Sequence, residues 1–402
     1  MKIYQVGGSV RDKLLGIESS ERDWVVIGAT PEEMVDRGYS PVGKNFPVFL
    51  HPDTREEYAL ARTEKKTGKG YKGFTFYTSP EITLEEDLYR RDLTINAIAE
   101  DENGNLIDPY HGQEDLKQEL LRHISPAFAE DPLRVLRVAR FAAQLGFKIA
   151  DDTLQLMKEI SQGGELVTLS AERIWIEFEK ALEGKYPARF IMALRACNAL
   201  EILLPEIDCL FGVPQPREHH PEIDTGLHTL MTLNQACRLS DDPQVRFAAL
   251  VHDLGKGVTP GELLPKHHGH EESGVKLIRK LCKRLKIPNQ YRDLAIQASR
   301  FHLDCHRVME MKVETVIGKL EQLDAFRRKD RFEKFLVACE ADARGRSGFE
   351  DKNYPQADYF RRARELASEI NIDTLIKQGF EGEALGKEIK NQRIRVLKEN
   401  LR

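Results

Sequence analysis

Gln5-Val6-Gly7-Gly8-Ser9-Val10-Arg11-Asp12, followed by Glu21-Arg22-Asp23-Trp24-Val25-Val26, is the stretch that decides the fold. It predicts a strand, a glycine turn, a short helix and a second strand that opens on two acids. Glu21 and Asp23 are two residues apart, so on a strand both carboxylates leave the same face. The glycine pair frees backbone N–H groups at the start of the helix, where an anion is favoured. Carboxylates that hold a divalent metal, beside a phosphate-binding turn and an arginine, are the machinery of phosphoryl or nucleotidyl transfer.

Composition sets the frame around this stretch. A chain of 402 residues favours two or three domains with substantial cores. Hydrophobic residues make up 41% and charged residues 31%, as in an ordinary water-soluble protein, and no apolar run is long enough to span a bilayer. The N-terminus runs straight into a strand without a signal-peptide pattern, so a cytoplasmic protein is expected. The six cysteines are scattered without a C-x-x-C pair, which reads as reduced thiols rather than disulfides or structural zinc. A net charge of −5 gives no global sign of nucleic-acid binding, so any RNA contact must come from local basic surface.

Outward from the opening stretch, Ile3–Val6, Asp23–Ile27, Val48–Leu50 and Glu57–Ala61 are expected strands. Thr30-Pro31-Glu32-Glu33 and Thr83-Leu84-Glu85-Glu86 carry capping-box spacing and predict helix starts. Asn103-Gly104 predicts a hairpin. Thr63 to Gly73, rich in glycine and lysine, reads either as a mobile loop able to close over a polyphosphate or as plain solvated surface. From about residue 112 the pattern turns helical. Helices are expected from Asp131-Pro132 to Leu145 with Gly146 as the stop, and over Ala171–Leu182 and Ala188–Ala199. Proline-rich composition from Leu204-Pro205 to Pro216 marks a domain boundary. A histidine-rich helical segment follows, then a charged helical tail, read as a solvated face with an RNA site as the alternative.

Three clusters in the first third carry chemistry. Glu21 and Asp23 are the expected metal-binding catalytic acids, with Glu57 as either a third carboxylate or a solvent-facing strand residue. In Asp87-Leu88-Tyr89-Arg90-Arg91-Asp92-Leu93-Thr94-Ile95-Asn96-Ala97, the two arginines are not expected to face one partner. Arg91 is assigned to phosphate or ribose, with Asp92 or Asn96 fixing its geometry. In Glu130-Asp131-Pro132-Leu133-Arg134-Val135-Leu136-Arg137-Val138-Ala139-Arg140, arginines every three residues form a stripe that drifts around a helix. Asp131 and Arg134, one turn apart, can offer an acceptor and donors to the edge of a base.

Taken together, Gly7-Gly8-x-x-Arg11-Asp12, the acids at 21 and 23, Arg90-Arg91-Asp92 to Ala97, and Glu130-Asp131-x-x-Arg134 resemble the bacterial CCA-adding enzymes. These are class II tRNA nucleotidyltransferases of the DNA polymerase β-like superfamily, and the likeness runs through the whole chain. It implies template-independent addition of C, C and A to tRNA 3′ ends from CTP and ATP, with Mg²⁺ held by Glu21 and Asp23. It further implies that Asp131 and Arg134 read the incoming base while Gly8, Arg11, Arg91, Arg137 and Arg140 contact the nucleotide. The sequence departs from the family at Glu21, where the usual residue is Asp. A bacterial poly(A) polymerase, which shares the head motifs, is the nearest rival. A hydrolase with a non-catalytic RNA-binding head is the rival from another class.

The histidine-rich segment holds His228, Val251-His252-Asp253-Leu254-Gly255-Lys256, His267-His268-Gly269-His270 and His302-Leu303-Asp304-Cys305-His306. Imidazole and carboxylate together suit divalent transition metals. The ordered set resembles the HD-type phosphohydrolases, an appendage carried by the multifunctional CCA proteins of some bacteria. The resemblance implies phosphatase, 2′-nucleotidase and 2′,3′-cyclic phosphodiesterase activity with Ni²⁺ or another transition metal. His228, His252 and Asp253 are the expected ligands, with His270, His302 and Asp304 as further candidates. The whole is read as an α+β protein: a mixed α/β nucleotidyltransferase head over 1–140, a helical neck and body with tRNA contacts over 141–220, an HD domain over 221–330 and a helical C-terminal region over 331–402. A monomer or homodimer is expected.

Overall fold

Period-two alternation along Asp23-Trp24-Val25-Val26-Ile27 makes a two-faced strand, and the head is built on it. The computed structural model describes residues 1–18, 22–42, 48–66, 74–218 and 220–401, so Glu21 and the glycine–lysine stretch 67–73 lie outside the described residues. The described chain divides into two units, Met1–Leu203 and Leu204–Arg402. The strands of the first unit are β1 (Lys2–Val6), β2 (Asp23–Ile27), β3 (Ser40–Val42), β4 (Val48–Leu50), β5 (Glu57–Leu60), β6 (Arg62–Lys66), β7 (Phe74–Thr78), β8 (Ala99–Glu100), β9 (Leu106–Ile107), β10 (Leu120–Leu121) and β11 (Lys148–Ile149). Its helices are α1 (Gly8–Leu14), α2 (Pro31–Asp36), α3 (Leu84–Tyr89), α4 (Gly112–Lys117), α5 (Leu133–Leu145), α6 (Asp151–Gln162), α7 (Ala171–Glu183), α8 (Ala188–Ala196) and α9 (Leu200–Leu203).

The main sheet runs β3-β4-β5-β2-β1-β8-β9, with β2 and β5 parallel and the other pairs antiparallel. Val25 and Ile27 pack on one face with Val6, Leu88, Ala97 and Ala99. Trp24 and Val26 pack on the other with Met34, Phe49, Tyr58 and Leu60. Asp23 therefore emerges at the open end of the first face. Both expected capping boxes form, at Thr30–Glu33 and Thr83–Glu86. The loop expected from Thr63 to Gly73 is in part a two-stranded ribbon, β6 pairing β7 from Arg62↔Thr78 to Lys66↔Phe74. The alternating aromatic and β-branched run Phe74-Thr75-Phe76-Tyr77-Thr78 is a strong strand former, and its pairing extends the ladder into the lysine-rich side.

α5 follows the expected bounds, and its sequence shows why it is fixed. Val135, Leu136 and Val138 are fully buried. Burying each contributes roughly 1.5–3 kcal/mol, against about 1 kcal/mol for a cap, so packing holds this helix more than its Asp131 start. α5 packs on α7 and α8, where Phe178 and Phe190 stack at 5.5 Å. α8 stops at Ala196, short of the expected Ala199. Asn198 takes a φ of 59°, and Ala199 N–H closes back on the Leu194 carbonyl at 2.8 Å, which satisfies the helix end and terminates it.

The second unit is helical: α10 (Pro205–Asp208), α11 (Thr225–Leu239), α12 (Pro243–Val251), α13 (His270–Arg284), α14 (Asn289–His306), α15 (Val313–Gln322), α16 (Lys329–Arg344), α17 (Pro355–Ser368), α18 (Ile372–Lys377) and α19 (Gly382–Asn400). α11, α12, α14 and α16 pack against one another, and α13 lies on α14. The basic tail helix α19 is not a free solvated face. Lys390 and Lys398 pair with Glu321 and Glu314 of α15, and the Arg393 guanidinium sits 3.6 Å from the centre of the Phe326 ring. All six cysteines are free thiols. Among the described residues no helix is long and apolar enough to cross a membrane.

Candidate nucleotidyl-transfer site and metal centre

β1 hands over to α1 through Gly7, whose φ is 76°. A Cβ added there would fall 2.9 Å from Arg91 Nη1 and 3.6 Å from Asp23 Oδ2, so the bare turn lets both side chains close over it. Asp23 lies in register with Glu57 on the parallel neighbour β5, which places two acids on one face. Arg11, on α1, donates through Nη1 to Asn96 Oδ1 at 2.7 Å and through Nε to Asp12 at 2.8 Å. Gly8 begins α1 beside it, with Arg11 Nη2 3.6 Å from where a Gly8 Cβ would stand. Gly7→Ala is expected to strain the turn by about 1 kcal/mol and push Arg91 aside. Nucleotide incorporation should drop at least tenfold with a small change in melting temperature, measured on the same preparation.

One expectation around Arg91 is corrected, and of the alternatives Asp92 and Asn96 it is Asn96 that meets it. Arg90 and Arg91 share one partner: they sit three and four residues after the buried Asp87 at the end of α3, and reach its Oδ1 at 3.0 Å and Oδ2 at 3.3 Å. Asp92 does not fix Arg91. Its carboxylate accepts from Arg137 Nε at 2.7 Å and from Asn96 Nδ2 at 3.0 Å, while Arg91 meets the Asn96 carbonyl at 3.5 Å. Asn96 thus touches Arg11, Arg91 and Asp92 and ties the loop after α3 to both arginines. Burial disfavours ionisation of Asp92, but the Arg137 charge and the Asn96 and Arg137 hydrogen bonds outweigh it and hold the carboxyl well below its usual range.

A depressed carboxyl stabilises the fold in full above the unfolded pKa of about 4, and that contribution fades as pH falls towards the folded value. Asp92→Asn is expected to cost about 2 kcal/mol near neutrality, less than a fully buried pair because Arg137 is 36% exposed. The gap between wild-type and variant melting temperatures should narrow below about pH 4. Equal gaps at pH 7 and pH 3 would mean that the ion pair does not carry this stability.

The base-reading candidates are already engaged. Asp131 Oδ1 accepts from Leu133 N–H at 3.0 Å, and Asp131 Oδ2 pairs with Arg173 of α7 at 3.1 Å. Arg134 donates to the Ala127 and Arg90 carbonyls at 2.8 and 2.5 Å. It also borders a 460 Å³ cleft with Tyr89, Tyr110 and Glu130. Arg140 meets the buried Glu177 at 2.6 Å and Gln144 at 2.8 Å. Arg11, Arg137 and Arg140 all lie over the Phe141 ring, at 5.0, 5.7 and 4.1 Å. Arg173 and Glu177, which sequence reasoning missed, recur at helical spacing on α7, so the signal was an i,i+4 pair aimed at α5.

In the second unit four histidines meet in the same orientation. His252, His270 and His302 each turn Nδ1 to a backbone carbonyl one turn back, at 2.7 to 3.0 Å. His228 turns Nδ1 to the Gly345 carbonyl and to Glu222 Oε1, both at 3.1 Å. Carbonyl and carboxylate oxygens only accept, so each Nδ1 donates its proton outward and every Nε2 faces inward. Asp253 serves two groups. Its Oδ2 lies 3.2 Å from His252 Nε2 and 3.9 Å from His228 Nε2, and its Oδ1 lies 3.3 Å from His270 and 3.7 Å from His302. Gly255 permits this closeness, because any side chain there would run into the His270 carbonyl.

The carboxylate that completes the centre is Asp342 of α16, which sequence reasoning missed. Its Oδ1 is 3.0 Å from His228 Nε2 and 3.5 Å from His252 Nε2. No local motif marks it, since it lies 89 residues after Asp253 and only helix packing brings the two together. Asp304, expected among the candidates, instead pairs with Lys319 at 2.7 Å beside a 710 Å³ surface groove. It sits two residues past His302 on α14, and 200° of helical turn carries it away from the histidines.

A divalent cation fits this donor set. Asp253 and Asp342 are both almost fully buried, and among the described residues His252 Nε2 and Asp253 Oδ1 have no hydrogen-bond partner. Burial favours neutral His252, but the charges of Asp253 and Asp342 overcome it and raise its pKa to about 10. Burial pushes His302 down to about 3, keeping it a neutral donor. Groups of three with ligand atoms within 4.8 Å include His228–His252–Asp253, His252–His302–Asp342 and Asp253–His270–His302. Mixed nitrogen and oxygen donors suit a transition metal, whereas the all-oxygen pair Asp23 and Glu57 suits a hard ion.

Comparison with known proteins finds separate family matches in the two units. Residues 3–122 match the poly A polymerase head domain, 146–210 a probable RNA and SrmB-binding site of polymerase A, and 225–326 the HD domain. Fold and matches thus define a nucleotidyltransferase-head protein that carries an HD domain. The chain is 58% identical over 402 residues to the multifunctional CCA protein of Thioalkalivibrio sulfidiphilus, covering 99% of this chain and 98% of that one. It is 56% identical over 401 residues to that of Pseudomonas fluorescens, with the same coverage. The chain belongs to the multifunctional CCA protein family. Among solved structures, the Thermotoga maritima CCA-adding enzyme complexed with tRNA shares the fold at a TM-score of 0.65, 21% identity and coverage of 100% and 88% of the two chains. The Bacillus stearothermophilus CCA-adding enzyme in complex with CTP does so at 0.58, 24% identity and 98% and 88% coverage.

Proposed function

We propose that the first unit adds C, C and A stepwise to tRNA 3′ ends from CTP and ATP, and that the second is a metal-dependent phosphohydrolase. The convergence of Asp23 and Arg91 on the bare Gly7 turn carries the first half. In this reading the tRNA 3′-hydroxyl attacks the α-phosphate of the nucleotide in line and pyrophosphate leaves. Asp23, with Glu21 and Glu57 as further carboxylates, would hold a divalent ion, for which Mg²⁺ is the natural choice of an all-oxygen site. That ion supplies charge neutralisation and a more acidic hydroxyl. Arg91 and Arg11, braced by Asp87 and Asn96, take the triphosphate oxygens. Arg137 and Arg140, held in position by Asp92 and Glu177, contact the nucleotide from the α5 side. Asp131 and Arg134 read the base, exchanging some of their internal partners for its edge. The RNA-binding match over 146–210 supports an RNA partner, in this reading tRNA, with the cytoplasm as the proposed place of work.

The inward-facing Nε2 atoms and two buried carboxylates carry the second half. His228, His252, Asp253 and Asp342 would hold the ion, Ni²⁺ or a similar transition metal, with His270 and His302 at the far oxygen of Asp253. Lys256, whose Nζ lies 2.6 Å from Asp253, is placed to meet a phosphate oxygen. The proposed substrates are phosphomonoesters and 2′,3′-cyclic phosphates. The test is hydrolysis of a 2′,3′-cyclic nucleotide by chelator-treated protein with Ni²⁺ or Co²⁺ restored. Metal-stimulated turnover supports this half, and none with any divalent ion refutes it.

A further inference from the structure

Two ligand candidates of the HD centre are gripped from behind by side chains that do not face the metal position. Behind His228 stands Glu222, in the loop before α11. Glu222 Oε1 lies 3.1 Å from His228 Nδ1 and 3.0 Å from His220 Nδ1, and Glu222 Oε2 accepts the Ser347 N–H at 3.3 Å. Behind Asp342 stands His306, the last residue of α14. Its Nε2 meets Asp342 Oδ2 at 2.7 Å, and its Nδ1 meets the Tyr354 hydroxyl at 2.8 Å. Tyr354 in turn donates to Cys305 Sγ at 3.4 Å.

We infer that Glu222 and His306 are positioning residues that set the metal affinity of the second unit, Glu222 through His228 and His306 through Asp342. This rests on the phosphohydrolase reading above. A carboxylate on Nδ1–H fixes the imidazole's orientation and makes Nε2 a stronger donor. The Gly345 carbonyl shares that proton, so it secures the tautomer, while Glu222 alone adds negative charge. On the other side, His306 occupies Asp342 Oδ2 and leaves Oδ1 to point at His228 and His252. The two grips come from segments far apart in sequence: the loop before α11, and the end of α14 with the residue before α17. His228 and Asp342, 114 residues apart, are thereby locked into one geometry.

The experiment measures Co²⁺ binding to the full chain by calorimetry and by the visible absorption of the bound ion, for wild type, Glu222→Gln and His306→Gln. Each variant is expected to bind Co²⁺ about 10- to 100-fold more weakly, with an altered visible band. CMP incorporation, which uses the other unit, should be unchanged, and the thermal melt of the metal-free chain reports that the second unit is folded. Wild-type affinity and spectrum in both variants would overturn the inference. Wild-type protein that binds no Co²⁺ at all would instead overturn the phosphohydrolase reading on which it rests. The variants are read separately, so misfolding of one leaves the other as the test.

Discussion

Asp23→Ala is expected to abolish CMP and AMP incorporation, by about 10³-fold or more, while leaving hydrolysis by the second unit intact. The size follows from what the carboxylate does. It stands at the open end of β2, in register with Glu57 and 3.6 Å from the Gly7 Cβ position that Arg91 also approaches. A metal-holding carboxylate supplies several kcal/mol of charge stabilisation at the reacting phosphate, and about 4 kcal/mol is a thousandfold in rate. Asp23 is exposed and begins its strand, and Val25 and Val26 carry the packing of β2. The variant should therefore melt close to wild type. Incorporation within tenfold of wild type would remove Asp23 from the metal-binding role. Loss of both activities in a folded variant would mean that the two units do not work as separate centres.

The double variant His252→Ala with Asp253→Ala is expected to eliminate metal-stimulated hydrolysis and to leave CCA addition unchanged. Removing both residues takes out opposite charges together. Removing Asp253, alone or with His252, also takes the carboxylate partner from the buried Lys256 ammonium and leaves it Gln215 at 2.6 Å, so the variant's thermal melt without metal checks that the second unit still folds. Asp253 contributes to both groups of ligand atoms, so no three-donor set containing it survives. The second readout is thermal: wild type at 100 times the metal's Kd should gain about 2.7 kcal/mol, and the double variant none. Metal-stimulated hydrolysis that persists in the variant would place the activity elsewhere.

The local signals in the sequence led directly to the strands around Asp23, both capping boxes and the span of α5. Each is written in a few adjacent residues: period-two alternation, Thr-x-x-Glu, and an apolar stripe ending at a glycine. What escaped depends on packing between distant segments. Asp342 joins His228 only because α16 lies against α11, and a lone aspartate among the acids of a charged helix carries no mark of that. Arg90 and Arg91 were separated because a regular element points neighbours apart. At the end of α3, however, both fall within one turn of Asp87. The arginine stripe on α5 was legible as a stripe, but its partners Asp92 and Glu177, and Arg173 on Asp131, became visible only once the loop after α3 and α7 were folded against it.

The first unit is proposed as a template-independent builder of a short tRNA end. Sequencing the 3′ ends of a tRNA that lacks its last three nucleotides, after incubation with this protein, CTP, ATP and Mg²⁺, tests that directly. The expected result is a population of ends extended by C, C and A and no further. Long adenylate tails would identify a poly(A) polymerase, and unextended ends would leave the head a non-catalytic RNA binder; either would contradict the account.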